Sequence, residues 1–555
     1  MCHNNWVWAF VWRGERGFRV SDLWRTPLER LAALTARFSG WFNQERWTNL
    51  LLITALTVAN LVILVFILQG QENRAVAFTV LALIAPLAFL VPEINIVTFI
   101  LAGTGLFVNA FYYVLEAGTG ERALSLVFLF LLSARAVYEH LKTPPEKRIK
   151  VFSWFVILLV VFWIYYMFHV GYIYLFRYDE VPPDDRFAAL GFYRTGVFRY
   201  FDRHMLWIGV VPLIILLSDI RRAKRILTIL GVVASSGVVV LLWEYFVPLP
   251  PFAKILFQLR AAGETTEGYR VREPASLYLI VAGFMFALYS LGFYKGWRVV
   301  AAVIYLLGAA YVILITKNRA LWGAMMLIMP MVLLWKPPAA LMHQARIAFM
   351  SCLFVLVLLM HPVINEAAAR IVTESVQRWE RNFAYGGDPR LDPSYQARVR
   401  EREAWEVRMQ TLTPFQRLFG AGLEEPYGRY ISLGELGYRG PGFDQVYVER
   451  IEMHFAWLAR LLHIGLVGTG LMVVLMAGFF IRAAQAFFTF KDPLWRAVIV
   501  GITGGMVAAI GYDLVHSDYL NSQGVAPIIF LWSLIEAMFH WKRTGQLEST
   551  QPNST

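Results

Sequence analysis

The chain has 555 residues, 58% of them hydrophobic and 15% aromatic, and its mean hydropathy is +0.52. Soluble domains are about half apolar and carry more charge, so this balance excludes a water-soluble fold and points to a polytopic membrane protein. The net charge of +12 then marks orientation and contact with anionic lipid rather than a nucleic-acid surface.

Residues 1–48 are mixed, basic and Trp-rich. They lack the leading apolar core of a cleavable signal peptide and read as a cytoplasmic or interfacial segment, amphipathic on the membrane surface. Apolar runs follow at 49–69, 76–91, 95–115, 122–140, 151–176, 205–219, 226–247, 275–293, 299–316, 320–335, 347–364, 455–481, 497–514 and 525–541. Most reach the ~18–20 residues that cross a hydrocarbon core of roughly 30 Å. The expected fold is therefore all-α, with about fourteen transmembrane helices and one large, mainly helical extracytoplasmic loop. The spacing divides the chain into a first membrane bundle at 49–364, a large loop at 365–454, a last bundle at 455–541 and a polar tail at 542–555.

Basic residues set the orientation. Lys142, Lys147, Arg148 and Lys150 share one connecting loop, and Arg221, Arg222, Lys224 and Arg225 are expected to form the next on the same side. Lys295 with Arg298, Lys336 with Arg346, Arg482 with Lys491 and Arg496, and Lys542 with Arg543 continue the series. By the positive-inside rule this face is cytoplasmic, with both termini on it. The opposite face carries the longer segments 177–204, 248–274 and 365–454. In the last, "SYQARVREREAWEVRMQTL" reads as an amphipathic helix that "LTPF" stops. This loop holds many arginines and no lysine. Arginine's planar fork suits phosphate and carboxylate, while the acids Glu401, Glu403 and Glu406 equally permit ordinary salt bridges.

Arg319 lies in "LITKNRALWGAMM", a short polar break between two apolar runs on the outer face, and Arg272 lies in "GYRVREPASLYLI", beside Arg270, just before another run. Charge near membrane depth either snorkels to headgroups or has a partner. A clamp of this kind would suit a diphosphate. His454 ends the large loop where the run from residue 455 begins. It reads as a structural group at a helix start or as a base that takes a proton from a hydroxyl, oriented by Glu449 or Glu452. His463 falls inside the following run and is expected to face the bundle without an assigned role. The two cysteines, Cys2 and Cys352, make neither a disulfide framework nor a zinc spacing, and no nucleotide motif occurs.

In "HFAWLARLLHIGLVGT", His454 is followed by Gly465, Gly468 and Thr469. This stretch resembles the signature of bacterial O-antigen ligases and polysaccharide polymerases, with Phe455 where that family has a small polar residue. "ITKNRALWG", "REAWEVRMQTLTPFQRLFGAG" and "YRVREPASLYL" resemble further stretches of the same superfamily, in the same order, so the likeness spans roughly residues 270–480. It implies an inverting, metal-independent glycosyl transfer at the periplasmic face of the bacterial inner membrane, from a glycan on undecaprenyl diphosphate. By that likeness His454, Arg319 and Arg272 are catalytic. Arg270, Arg402, Glu452, Gly420 and Gly422 bind diphosphate or glycan. There is no metal or cofactor. The acceptor would be a growing glycan, lipid A-core or a protein, with membrane lipid around it, a chain-length regulator left open and no nucleic acid. Phe455 and the number of runs favour polymerase over ligase. The alternative class is a flippase for lipid-linked oligosaccharide, which many spans would suit but unmatched halves and a one-sided insert do not.

Overall fold

The structure is a computed structural model. With short breaks it describes residues 85–103, 120–176, 205–246, 260–261, 271–272, 275–360, 393–422, 427–431, 446–450, 456–513 and 525–546. The chain divides into two compact units, Met1–Pro86 and Leu87–Thr555. The first, with the expected run at 49–69 and the segment 1–48 expected to be interfacial, lies almost wholly outside the described residues, as does the segment 177–204.

In the second unit the helices are α1 (Pro92–Gly103), α2 (Gly120–Lys142), α3 (Trp154–Phe176), α4 (Val210–Leu216) and α5 (Ile220–Phe246). They continue as α6 (Ala275–Ser290), α7 (Trp297–Ile315), α8 (Arg319–Leu334) and α9 (Pro338–Leu359). The large loop contributes α10 (Pro393–Thr411) and α11 (Pro414–Phe419), and the chain closes with α12 (Ala456–Thr489), α13 (Pro493–Asp513) and α14 (Val525–Arg543). Two short antiparallel ladders complete it. β1 (Arg260–Ala261) pairs with β2 (Val271–Arg272), and β3 (Tyr427–Ile431) with β4 (Val446–Arg450), so the large loop is not helical throughout.

Among the described residues five helices are long and apolar enough to cross a membrane: Ile220–Trp243, Trp297–Ile315, Trp457–Thr489, Pro493–Gly511 and Val525–Arg543. The run at 205–219 becomes a 3-10 turn, Leu206–Gly209, and the seven-residue α4, too short to span. The helical membrane character is thus present, on fewer demonstrated spans than the expected fourteen.

α14 is the hub. All of it but Phe539, Lys542 and Arg543 is buried. Trp532 packs on Phe155 of α3, Trp207 and Phe479 of α12, with ring centroids 5.4, 5.2 and 5.8 Å apart. α6 and α13 make the most intimate helix pair. A Cβ on Gly501 would lie 2.7 Å from the Ala282 carbonyl oxygen, and one on Gly505 would lie 3.2 Å from the Ala282 Cβ. Small residues four apart let two backbones approach where lipid supplies no hydrophobic drive.

The basic residues gather at one end, with a correction. Arg221, Arg222, Lys224 and Arg225 are not in a loop but in the first turns of α5, which Asp219 starts by accepting a bond from the Arg221 N–H at 2.9 Å. Arg346, Arg482 and Arg496 likewise lie inside α9, α12 and α13, and Lys542 and Arg543 form the last turn of α14 rather than a tail. Arg222 forks onto Glu139 of α2 at 2.8 and 3.0 Å, and Arg482 onto Glu536 of α14 at 2.6 and 2.8 Å. Bidentate pairing of this kind is how charge is kept at the end of an apolar bundle.

Candidate functional site

The site is built where the large loop meets α12. "LTPF" stops α10 as expected, but it also starts α11. Thr413 caps the new helix, its side chain accepting from the Gln416 N–H while Gln416 reaches back to the Thr413 N–H, with Pro414 at the first position. α10 lays Trp405 and Met409 over Leu412, Ala421, Ala459 and Leu462, a small apolar core between loop and α12. From α11 the chain turns through Gly420–Ala421–Gly422, with φ of 95° at Gly420 and 117° at Gly422.

This turn docks on a break in α12. Gly465 has φ 69° and ψ −174° inside the helix, a region essentially reserved for glycine. Its extended backbone interrupts the helical ladder, and the three carbonyls ahead of it each accept a bond from outside the helix. The Leu462 oxygen takes the Ala421 N–H at 2.8 Å, and the His463 oxygen takes the Gly422 N–H at 3.1 Å. The Ile464 oxygen faces the Tyr165 hydroxyl of α3 at 2.8 Å. The same hydroxyl lies 2.9 Å from the Phe419 oxygen, so its single proton serves two acceptors. Buried backbone must be satisfied in this way, above all at membrane depth.

Three basic side chains line the junction. His169, one turn beyond Tyr165 with ring centroids 4.9 Å apart, hydrogen-bonds the Phe419 backbone. His463 and Arg460 of α12 are buried beside it, and Arg460 stacks on the Trp457 ring at 5.2 Å. The arrangement ties three elements together: the loop, α3 and the first turns of α12.

Of the residues expected to act, His454, Glu452 and Arg270 lie outside the described residues, although His454 stands two positions before the first residue of α12, while Glu449 lies in β4 opposite Gly428. Arg272 pairs across the β1–β2 ladder with Arg260 and precedes α6, while Arg319 is the first residue of α8. α6 and α8 both pack on α13, which also packs on α12, so the helices opened by these arginines share one partner. The Trp322 indole N–H of α8 donates to the Ile313 oxygen at 2.9 Å and closes the polar break that holds Arg319.

The N–H groups of Gly420 and Gly422, expected at the substrate, are given to the Gln416 and His463 oxygens, so the turn serves at least to dock the loop on α12. Arg402 is exposed on α10 and donates to Glu406 at 2.8 Å, the ordinary salt bridge of a solvated helix face.

Tyr165, His169 and Arg460 were not foreseen. The run "WFVILLVVFWIYYMFHVGYIYLF" is apolar all round, so nothing in its periodicity separates Tyr165 from Tyr166. The one available sign is Tyr165 and His169 standing four apart, on one helix face.

No family model matches the chain, and comparison with curated proteins and with solved structures gives no match either.

Proposed function

We propose that the protein is an inverting, metal-independent glycosyltransferase acting at the periplasmic face of the inner membrane, with both termini cytoplasmic. It would use a glycan on undecaprenyl diphosphate, with polymerisation of repeat units favoured over ligation to lipid A-core or protein. The observation that carries the reading is a contact between two segments singled out independently by their likeness to one enzyme superfamily. "FGAG" of the large loop and "HIGLVGT" of α12 are docked backbone to backbone through Ala421, Gly422, Leu462 and His463.

In this reading His454 takes the proton of the acceptor hydroxyl as its oxygen attacks the anomeric carbon. The bond from that carbon to the diphosphate breaks, and the lipid diphosphate leaves from the opposite face. Arg272 and Arg319 hold the diphosphate and stabilise the charge that builds on it. The docked turn fixes the loop against the helix that His454 precedes, so that a lipid-borne donor and an aqueous acceptor meet at one edge.

The test is transfer by the purified protein in nanodiscs, given lipid-diphosphate-linked repeat units from its host, beside His454→Ala and Arg319→Ala variants that retain their fold. Ladders of longer lipid-linked glycan from wild type alone are expected. Transfer only on adding an acceptor would make it a ligase. No product with donor and acceptor both present, or equal product from both variants, would overturn the reading in favour of a flippase.

A further inference from the structure

α11 carries an apolar face that stands exposed among the described residues. Phe415 is 70% exposed and Leu418 41% exposed. With Phe419 they stand three and four apart, on one side of the helix, and the Phe415 and Phe419 rings meet tilted, with centroids 4.8 Å apart. The other side is polar and engaged. The Arg417 guanidinium donates to the Gln410 oxygen at 2.9 Å, closing the end of α10.

The position of this face along α12 decides what covers it. Between Trp457 and Gly465 no residue of α12 is exposed, because α10, α11 and the glycine turn lie over it. Exposure begins at Leu466 and continues through Val473, Val474, Ile481 and Phe488, an uncharged stripe recurring about every two turns. From Leu466 to Phe488 the stripe is about 33 Å long at ~1.5 Å per residue, close to the hydrocarbon thickness of roughly 30 Å. The upper edge of the hydrocarbon therefore falls at the Gly465 kink. α11 lies at that kink, where a Cβ on Gly465 would sit 2.5 Å from the Leu418 oxygen. Its apolar face thus stands at the level where the exposed stripe of α12 begins.

We propose that α11 is an interfacial helix whose Phe415 and Leu418 insert into the outer edge of the bilayer, so that phospholipid is the occupant of this face and the large loop is anchored to the membrane there. The proposal rests on the membrane-spanning reading of α12 and is independent of any transferase activity. Short apolar faces flanked by a cation settle at the headgroup–acyl boundary in this way.

The test is spin-label accessibility in nanodiscs. With Cys2 and Cys352 replaced by serine, a nitroxide is placed at Phe415→Cys, with Val473→Cys as the lipid reference and Glu403→Cys as the aqueous one. Leu418→Cys reads the same face should the first variant fail to fold. Relaxation by oxygen well above that by a water-soluble nickel chelate, matching Val473, is expected. An aqueous profile matching Glu403 overturns the proposal, and low accessibility to both reagents overturns it in favour of cover by protein. On the unsubstituted protein a diazirine-bearing phospholipid is expected to label the Phe415–Phe419 peptide, and labelling confined to transmembrane peptides would count against it.

Discussion

The hydroxyl of Tyr165 sits 2.8 Å from the carbonyl oxygen of Ile464 and 2.9 Å from that of Phe419, joining the apolar helix α3, the kinked helix α12 and the large loop through one oxygen. Tyr165→Phe keeps the ring and removes the only proton these carbonyls share. Leaving buried acceptors unpaired costs about 1–3 kcal/mol. The expected outcome is faster hydrogen exchange across Pro414–Gly422 with the rest of the bundle unchanged. Exchange equal to wild type there would show that the hydroxyl does not hold the loop.

Gly465→Ala should be far more damaging than Gly470→Ala, five residues along the same helix. A Cβ at Gly465 would lie 2.3 Å from the Gly420 nitrogen, whereas one at Gly470 meets nothing within 4 Å. The backbone conformation alone costs a non-glycine residue about 1–3 kcal/mol, and the clash adds to it. Thermal unfolding in nanodiscs is expected to fall sharply for the first variant. The second should be neutral or stabilised by up to about 1 kcal/mol, since alanine is the better helix former.

The α6–α13 pair gives a third comparison. A side chain at Gly501 would be driven into the Ala282 carbonyl, while Gly323 of α8 faces open space. Gly501→Val is expected to lower folded yield and melting temperature by separating the helices, with Gly323→Val as the tolerated control. Overpacking of this kind costs roughly 1–3 kcal/mol or more. Equal melting temperatures would mean that the close approach carries no stability.

Lys336, in the turn between α8 and α9, is buried and donates to the Leu288 oxygen at 2.8 Å and to Gln344, with its ammonium over the Tyr289 ring. Burial pushes its pKa down to about 7 from 10.5. A lysine so depressed binds a proton more readily in the unfolded chain, so stability rises with pH between about 7 and 10.5 and is flat below. Wild type should gain stability from pH 7 to 9, by at most about 1.4 kcal/mol per pH unit, and Lys336→Met should lose that dependence. If both respond alike, the two accepting oxygens and the ring hold the ammonium charged at neutral pH.

The apolar runs announced most described helices, because uninterrupted hydrophobicity over four or more turns has few other uses. Their ends were less legible. α5 has 27 residues and is about 40 Å long, longer than the hydrocarbon, so Arg221 to Arg225 remain helical while standing clear of it. α9 starts at Pro338, earlier than expected, because His343, Gln344 and Arg346 mask its first turns. Thr413–Pro414 signals a stop and a start with the same two residues. At the site, glycine content was visible but φ was not. Gly420, Gly422 and Gly465 could be picked out as motif residues, whereas their use against one another depends on contacts between distant segments, and so does the role of Tyr165.

The docked backbones exclude a side chain at both Gly420 and Gly465. A Cβ on Gly420 would fall 2.2 Å from the His463 oxygen, and one on Gly465 would fall 2.3 Å from the Gly420 nitrogen. Either replacement meets opposing backbone at full cost, and replacing the second glycine does not relieve it. In evolutionary terms the pair is a ratchet. A lineage descending from this chain keeps both glycines or abandons the docked loop altogether, and the two positions should therefore vary together.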